Sequence, residues 1–240
     1  MSIKDDTFCP LPWLHLGTHP HGGVTPCCIS DMTAGKNRAR NYGKERDEFF
    51  NLNDHNIETH MNSDYFKEIR KEMLNDLEPK ACKRCYDEER KGIKSKRVHE
   101  SEVYKDFNPD YASRLTSEDG SIPMDLRFVE LRLGNVCNVR CRTCNPASSS
   151  RWVADYKKIV DSLEFVNDGY SWLDHKHDFQ WPEDENFYED LFKCAPNLEV
   201  LYINGGEPTL IKAHWKFLEM LVESERSKNI ILWYNINMTQ

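Results

Sequence analysis

Several features of a membrane or nucleic-acid protein are missing from this chain. The apolar run at Ile230 to Trp233 is much too short to cross a bilayer, which takes about 20 residues. No N-terminal positively charged stretch leads into an apolar one, so nothing reads as a secretory signal, and a cytoplasmic location is expected. Positive charge is not in excess either: 32 Lys and Arg stand against 40 Asp and Glu, a net charge of −8. That balance argues against nonspecific nucleic-acid binding as the main role, although a local basic stretch runs from Lys80 to Arg97. With 240 residues, 39% of them hydrophobic and 30% charged, the chain can bury one good core, or one core plus a small appended unit.

Cysteine, by contrast, is plentiful, with nine in the chain. In a reducing compartment clustered cysteines ligate metal more often than they pair as disulfides. Cys137, Cys141 and Cys144 place three thiols within eight residues and have no obvious fourth ligand nearby. A structural zinc needs four ligands to close its shell. A cubane iron-sulfur cluster held by three cysteines keeps one iron open to a substrate or cofactor.

The alternation in Leu126 to Leu133 predicts a half-buried strand, broken by Gly134 and Asn135 just before the cysteine loop. About sixty residues beyond that loop, Leu198 to Asn204 reads as a second strand running into Gly205-Gly206-Glu207-Pro208. Glycines let backbone approach a ligand closely, and a carboxylate can pair with an ammonium group. Strand, cysteine loop, helix, strand and glycine turn, in that order, resemble the radical S-adenosylmethionine (radical SAM) enzymes. The resemblance implies a catalytic [4Fe-4S] cluster on Cys137, Cys141 and Cys144, with Gly205, Gly206, Glu207 and Pro208 holding the methionine end of SAM. It further implies reductive SAM cleavage to a 5′-deoxyadenosyl radical for hydrogen abstraction, with an electron donor such as a flavodoxin or ferredoxin. The family often has an aromatic residue before the last cluster cysteine, and this chain has Thr143.

Cys9, Cys27, Cys28, Cys82 and Cys85 form a second set. A Gly22-Gly23 turn between short extended segments predicts a hairpin that folds Cys9 towards Cys27. Phe66, Ile69, Met73, Leu74 and Leu77 recur at helical spacing up to Pro79, which places Cys82 and Cys85 just beyond an amphipathic helix. This arrangement resembles the twitch module related to the SPASM domain of radical SAM enzymes. It implies an auxiliary [4Fe-4S] cluster on Cys9, Cys27, Cys82 and Cys85, with Cys28 an alternative to Cys27. Four thiolates would close a zinc shell equally well.

The expected architecture is α/β: a small cysteine-rich α+β module over 1–100, a polar linker over 101–123, and a partial radical SAM barrel over 124–240. Ser148, Ser149 and Ser150 offer caps for a helix through about Leu163. Ile211, Trp215, Leu218, Leu221 and Val222 give the apolar face of another, and Ile230 to Ile236 reads as a third strand ending in polar Asn235 and Asn237. Cys194 reads as a free buried thiol, His175 and His177 as members of a solvated loop, Trp172 and Trp181 as residues packing that loop down, and Glu183 to Glu185 as a solvated face. The family barrel has six βα units, so a chain carrying three is expected to be an N-terminal fragment or one piece of a split enzyme with a missing C-terminal half. The twitch resemblance makes a peptide or protein the expected substrate, with small molecules as alternatives. Two rivals stand beside the enzyme reading: a noncatalytic zinc module, and an iron-sulfur electron-transfer module that needs a partner chain.

Overall fold

A computed structural model describes residues 7–30, 51–162 and 179–239 of the chain. His175, His177 and Trp172 lie outside these residues. The described helices are α1 (Leu11–Leu14), α2 (Ile57–Met61), α3 (Asp64–Leu74), α4 (Lys83–Arg90), α5 (Lys96–Val103), α6 (Pro109–Leu115), α7 (Val153–Asp161), α8 (Glu185–Cys194) and α9 (Lys212–Glu223). The strands are β1 (His15–Thr18), β2 (Val24–Thr25), β3 (Phe128–Leu133), β4 (Val200–Gly205) and β5 (Ile231–Tyr234). Among the described residues no helix is long and apolar enough to cross a membrane.

The strands form one mixed sheet in the order β2-β1-β3-β4-β5. β1, β3, β4 and β5 are parallel, and β2 is an antiparallel edge. The three strands expected after Leu126 are present, and the N-terminal hairpin extends their sheet: His15 pairs with Phe128 and Gly17 with Glu130. Residues 101–123 carry the end of α5 and all of α6. α6 begins where Asn108 accepts the Tyr111 amide and Pro109, at the first helical position, gives up an N–H that would have no intrahelical partner.

Side-chain alternation divides the sheet into two faces. Leu16, Val129, Leu131, Leu133, Leu201 and Ile203 have no exposure and join one core with Trp13, Phe66, Tyr188, Leu191 and Phe217. The residues between them, Glu130, Arg132, Tyr202 and Asn204, give the other face a polar character near the strands' C-terminal ends.

Two helical faces differ from expectation. α3 stops at Leu74, where Asp76 turns left-handed at φ 57° and the Leu77 amide folds back onto the Glu72 carbonyl, so Leu77 points outward. α9 buries Ala213, His214, Phe217 and Leu221, while Trp215 and Val222 are exposed. The buried set follows the i, i+4, i+8 row, and the wider apolar pattern in the sequence does not distinguish that row from its neighbours.

Arg70 ties the N-terminal elements together. Its side chain is fully buried and donates to the carbonyls of Gly120 (2.9 Å), Pro12 (3.0 Å) and Met61 (2.8 Å), joining α1, α2, α3 and the segment before β3. Burial draws its pKa down to about 9. Replacing it with methionine (R70M) keeps the apolar stem and orphans three carbonyls. Urea unfolding should then show a loss on the order of 3 kcal/mol; a change under about 0.5 kcal/mol, typical of a surface site, would contradict this role.

Candidate metal centres

The cysteine loop leaves the C-terminal end of β3, the rim where open parallel sheets and barrels place their sites. Gly134 takes φ 60°, which lets the chain leave the strand abruptly. Two buried side chains and one half-buried one then pin the loop: Asn135 Nδ2 donates to the Pro146 carbonyl (3.0 Å), Ser149 Oγ to the Val139 carbonyl (2.7 Å) and Trp152 Nε1 to the Cys141 carbonyl (2.9 Å). Ser150 Oγ accepts the Cys137 amide at 3.4 Å. The serines expected to cap a helix therefore brace the loop, because its turns leave carbonyls and amides that need partners. The segment starts as a 3-10 turn at Ser150–Trp152 with no side-chain cap.

The Gly205-Gly206 turn lies directly against this loop. The Gly206 amide donates to the Gly134 carbonyl (3.1 Å) and the Glu207 amide to the Val136 carbonyl (2.7 Å). A Cβ on Gly206 would sit 2.1 Å from the Val136 oxygen, and one on Gly205, at φ 133°, would sit 2.5 Å from the Leu133 nitrogen. The need for glycine is set at Gly206 by backbone of the cysteine loop and at Gly205 by backbone of β3.

Together the loop and turn bound a cavity of about 820 Å³, lined by Cys137, Cys141, Thr143, Cys144, Gly205, Gly206, Tyr202, Asn204, Tyr234 and Asn235, among others. Its size is in the range of small-molecule sites. The Cys144 thiol is held above its ordinary pKa by burial first and then by Cys141 and Cys137, so the three sulfurs share one neighbourhood. On the polar sheet face buried Glu130 accepts from Arg132 Nη2 (3.2 Å) and Asn204 Nδ2 (3.4 Å), and Cys28 also faces the cavity there. Neither Glu207 nor Pro208 lines the cavity. Glu207 is buried, its Oε1 accepting the Thr209 amide and hydroxyl and its Oε2 the Asn237 amide at 2.7 Å.

Cys9, Cys27, Cys82 and Cys85 lie on the N-terminal side, near enough for their thiols to influence one another's ionisation. The hairpin turn forms at Gly22 (φ 89°), where the His19 amide donates to the Gly23 carbonyl at 2.7 Å. Cys82 ends a 3-10 turn (Lys80–Cys82) and Cys85 lies in the first turn of α4. Burial, then neighbouring thiols of the same set, raises the pKa of Cys9 and Cys82, and burial pushes Cys27 up to about 12. Two cations act in the opposite sense: Arg97 lowers the Cys9 pKa and Lys96 that of Cys27. Arg97 is anchored by the Phe8 carbonyl (2.9 Å) and by Glu89.

Among the described residues no group of three or more His, Cys, Asp or Glu is already gathered to hold a metal ion. The two thiol sets are neighbourhoods that metal binding would have to draw together, as is usual for sites coupled to folding. Their donor chemistry fits iron-sulfur clusters: two buried and two half-buried thiols flanked by two cations in one place, and three thiols on an open cavity in the other.

The remaining residues have structural roles. Cys194 is buried and its thiol donates to Asp190 Oδ1 at 3.8 Å. Trp181 is buried and donates to the Pro20 carbonyl at 2.9 Å, holding the hairpin. Glu183, Asp184 and Glu185 are exposed, yet Asp184 caps α8 and Glu185 pairs with Lys216. The sequence reading missed the Glu130–Arg132–Asn204 cluster, whose only signal was polar residues at alternate positions near strand ends, and the pairing of Tyr234 with His214 of α9.

The fold and sites describe a mostly parallel α/β protein with one thiol set on the loop after the C-terminal end of β3 and the other around the N-terminal hairpin, beside the start of the same strand. The family model described as SPASM, an iron-sulfur cluster-binding domain, matches residues 9–86, a segment that begins at Cys9 and includes Cys27, Cys28, Cys82 and Cys85. No curated protein and no solved structure matches the chain.

Introducing a methyl group at the tightest approach (G206A) should displace the cysteine loop at a cost on the order of 3 kcal/mol. Anaerobic iron loading of that variant should fill the N-terminal thiol set and leave the three-thiol loop empty. Wild-type stability with full loading would mean that the loop does not lie on this turn.

Proposed function

We propose that this chain is a radical SAM enzyme, or the part of one that carries its cluster loop, with an auxiliary iron-sulfur module before it. The observation that carries this reading is the three-thiol loop, opening onto a cavity at the C-terminal rim of a parallel sheet with a Gly-Gly-Glu-Pro turn packed against it. The SPASM match over residues 9–86 supports it independently, because it lies on the other thiol set.

Cys137, Cys141 and Cys144 would hold one [4Fe-4S] cluster, and Cys9, Cys27, Cys82 and Cys85 the auxiliary one. Bound at the three-thiol site, cluster and SAM together supply reductive cleavage of the sulfonium and a 5′-deoxyadenosyl radical able to abstract hydrogen. The chain's own residues bind, orient and shield. Gly205 and Gly206 let backbone line the cavity without side chains. Glu207 orders the Gly-Gly-Glu-Pro turn through Thr209, and its side chain is already engaged by amide and hydroxyl donors. Thr143 lines the wall where the family often has an aromatic residue, so stacking on the adenine falls to another group. His214 is kept neutral by burial, its pKa lowered to about 4, and shares a 2.6 Å hydrogen bond with the Tyr234 hydroxyl at the cavity edge. The pair fixes a phenol there without adding charge. Glu130, Arg132 and Asn204 give the opposite wall a charged, hydrogen-bonding surface suited to a peptide or another polar substrate.

β5 is an edge strand whose Ile231, Leu232 and Trp233 are exposed, although successive residues point to opposite faces. Apolar exposure on both faces supports a barrel in which further strands pair with β5. It also favours the second reading, an iron-sulfur module that works with another polypeptide. An electron donor of the flavodoxin or ferredoxin type belongs to either reading.

Incubating the anaerobically reconstituted protein with SAM and dithionite should release 5′-deoxyadenosine, and a C141A variant should give only background. Two intact clusters with no 5′-deoxyadenosine from the wild type would overturn the enzyme reading for this chain and leave the partner-dependent one.

A further inference from the structure

Resting on the reading of the three-thiol loop as a cluster site, we propose that Asn237 is a positioning residue that donates a hydrogen bond to the Cys137 sulfur and raises the reduction potential of a cluster bound there. Asn237 follows β5, a hundred residues from the loop, and the sequence reading gave it only a general polar role at a strand end. Its Nδ2 lies 3.9 Å from Cys137 Sγ and 2.8 Å from Asn138 Oδ1. The amide orientation is fixed by its other end, since Oδ1 accepts both the Thr239 amide (3.1 Å) and the Thr239 hydroxyl (2.7 Å). A flipped amide would point N–H groups at the Thr239 amide and leave Asn138 Oδ1 facing an acceptor, so the two Nδ2 hydrogens belong to the loop. Asn138 closes the ring by donating to Thr239 Oγ1 at 2.7 Å.

The backbone of Asn237 is held separately. Its amide donates at 2.7 Å to Oε2 of buried Glu207, whose other oxygen is taken by Thr209. The Gly-Gly-Glu-Pro segment thus reaches the cysteine loop by two routes: directly through backbone, and indirectly through Glu207, Asn237 and the Cys137 sulfur. An N–H directed at a ligating sulfur stabilises the form with more negative charge, which is the reduced cluster. The amide adds no charge and leaves the cavity open.

The test uses the full chain, reconstituted anaerobically, and measures the midpoint of one-electron reduction of the three-thiol cluster by redox titration monitored by electron paramagnetic resonance, without SAM. The C9A/C82A background removes the auxiliary signal. The midpoint should fall in the order wild type, N237A, N237D, because alanine removes the donor and aspartate puts an anion beside the sulfur. E207Q, which sets an amide against the Asn237 N–H, should shift it in the same direction, and adding N237A should add little further. A purely structural role would lower the thermal midpoint and the cluster yield of N237A while leaving the potential of the loaded fraction unchanged; that result overturns the proposal and spares the site. If the C9A/C82A protein assembles no cluster on Cys137, Cys141 and Cys144 while the wild type assembles one at the N-terminal set, the site reading itself fails and the proposal with it.

Discussion

The close approach of two backbone segments organises this end of the molecule. β3 and β4 stay paired to their C-terminal ends, with Leu133 opposite Gly205. The loop leaving β3 must then cross the turn leaving β4 with no room for a side chain between them, and at Gly206 the margin is 2.1 Å to the Val136 oxygen. Two glycines make that crossing possible, and two amide-to-carbonyl hydrogen bonds fix its register. The placement of Cys137, the shape of the cavity wall and the position of Glu207 follow from this contact.

A second consequence of the sheet is that both thiol sets belong to one framework. β1 lies beside β3, so the hairpin that contributes Cys27 is hydrogen-bonded to the strand that launches the three-thiol loop. The adjacent pair Cys27-Cys28 is divided between the two regions: Cys27 joins the buried N-terminal set, while Cys28 faces the cavity near Glu130 and Arg132. Neighbouring residues after an extended segment tend to point in opposite directions, which accounts for the division. The hairpin therefore helps to shape the cavity as well as the auxiliary set.

Much of this was legible in the sequence, where local chemistry dictates local structure. The strands around Phe128, Val200 and Ile231, the Gly22 turn and the buried, inert character of Cys194 follow from periodicity, glycine placement and burial preference. Features that depend on pairing between distant segments were not. Nothing local says that His15 to Thr18 joins the sheet of β3, that Asn237 reaches Cys137, or that Glu207 turns towards Asn237. The α9 face was misread because Trp215 and Val222 are as apolar as the residues that pack. α3 ended earlier than its pattern because Asp76, just after the C-cap Asn75, adopts a left-handed stop before Pro79 is reached.

On the proposed function the chain would carry two iron-sulfur clusters, of which only the one on the three-thiol loop would have an iron open to SAM. Electron paramagnetic resonance of the reconstituted, dithionite-reduced protein, recorded with and without SAM, tests it most directly. The account predicts two [4Fe-4S] signals, one shifted by SAM and lost in C137A/C141A/C144A, the other insensitive to SAM and lost in C9A/C82A. A single SAM-insensitive signal, or a wild-type protein holding zinc in place of iron at both sets, would contradict it.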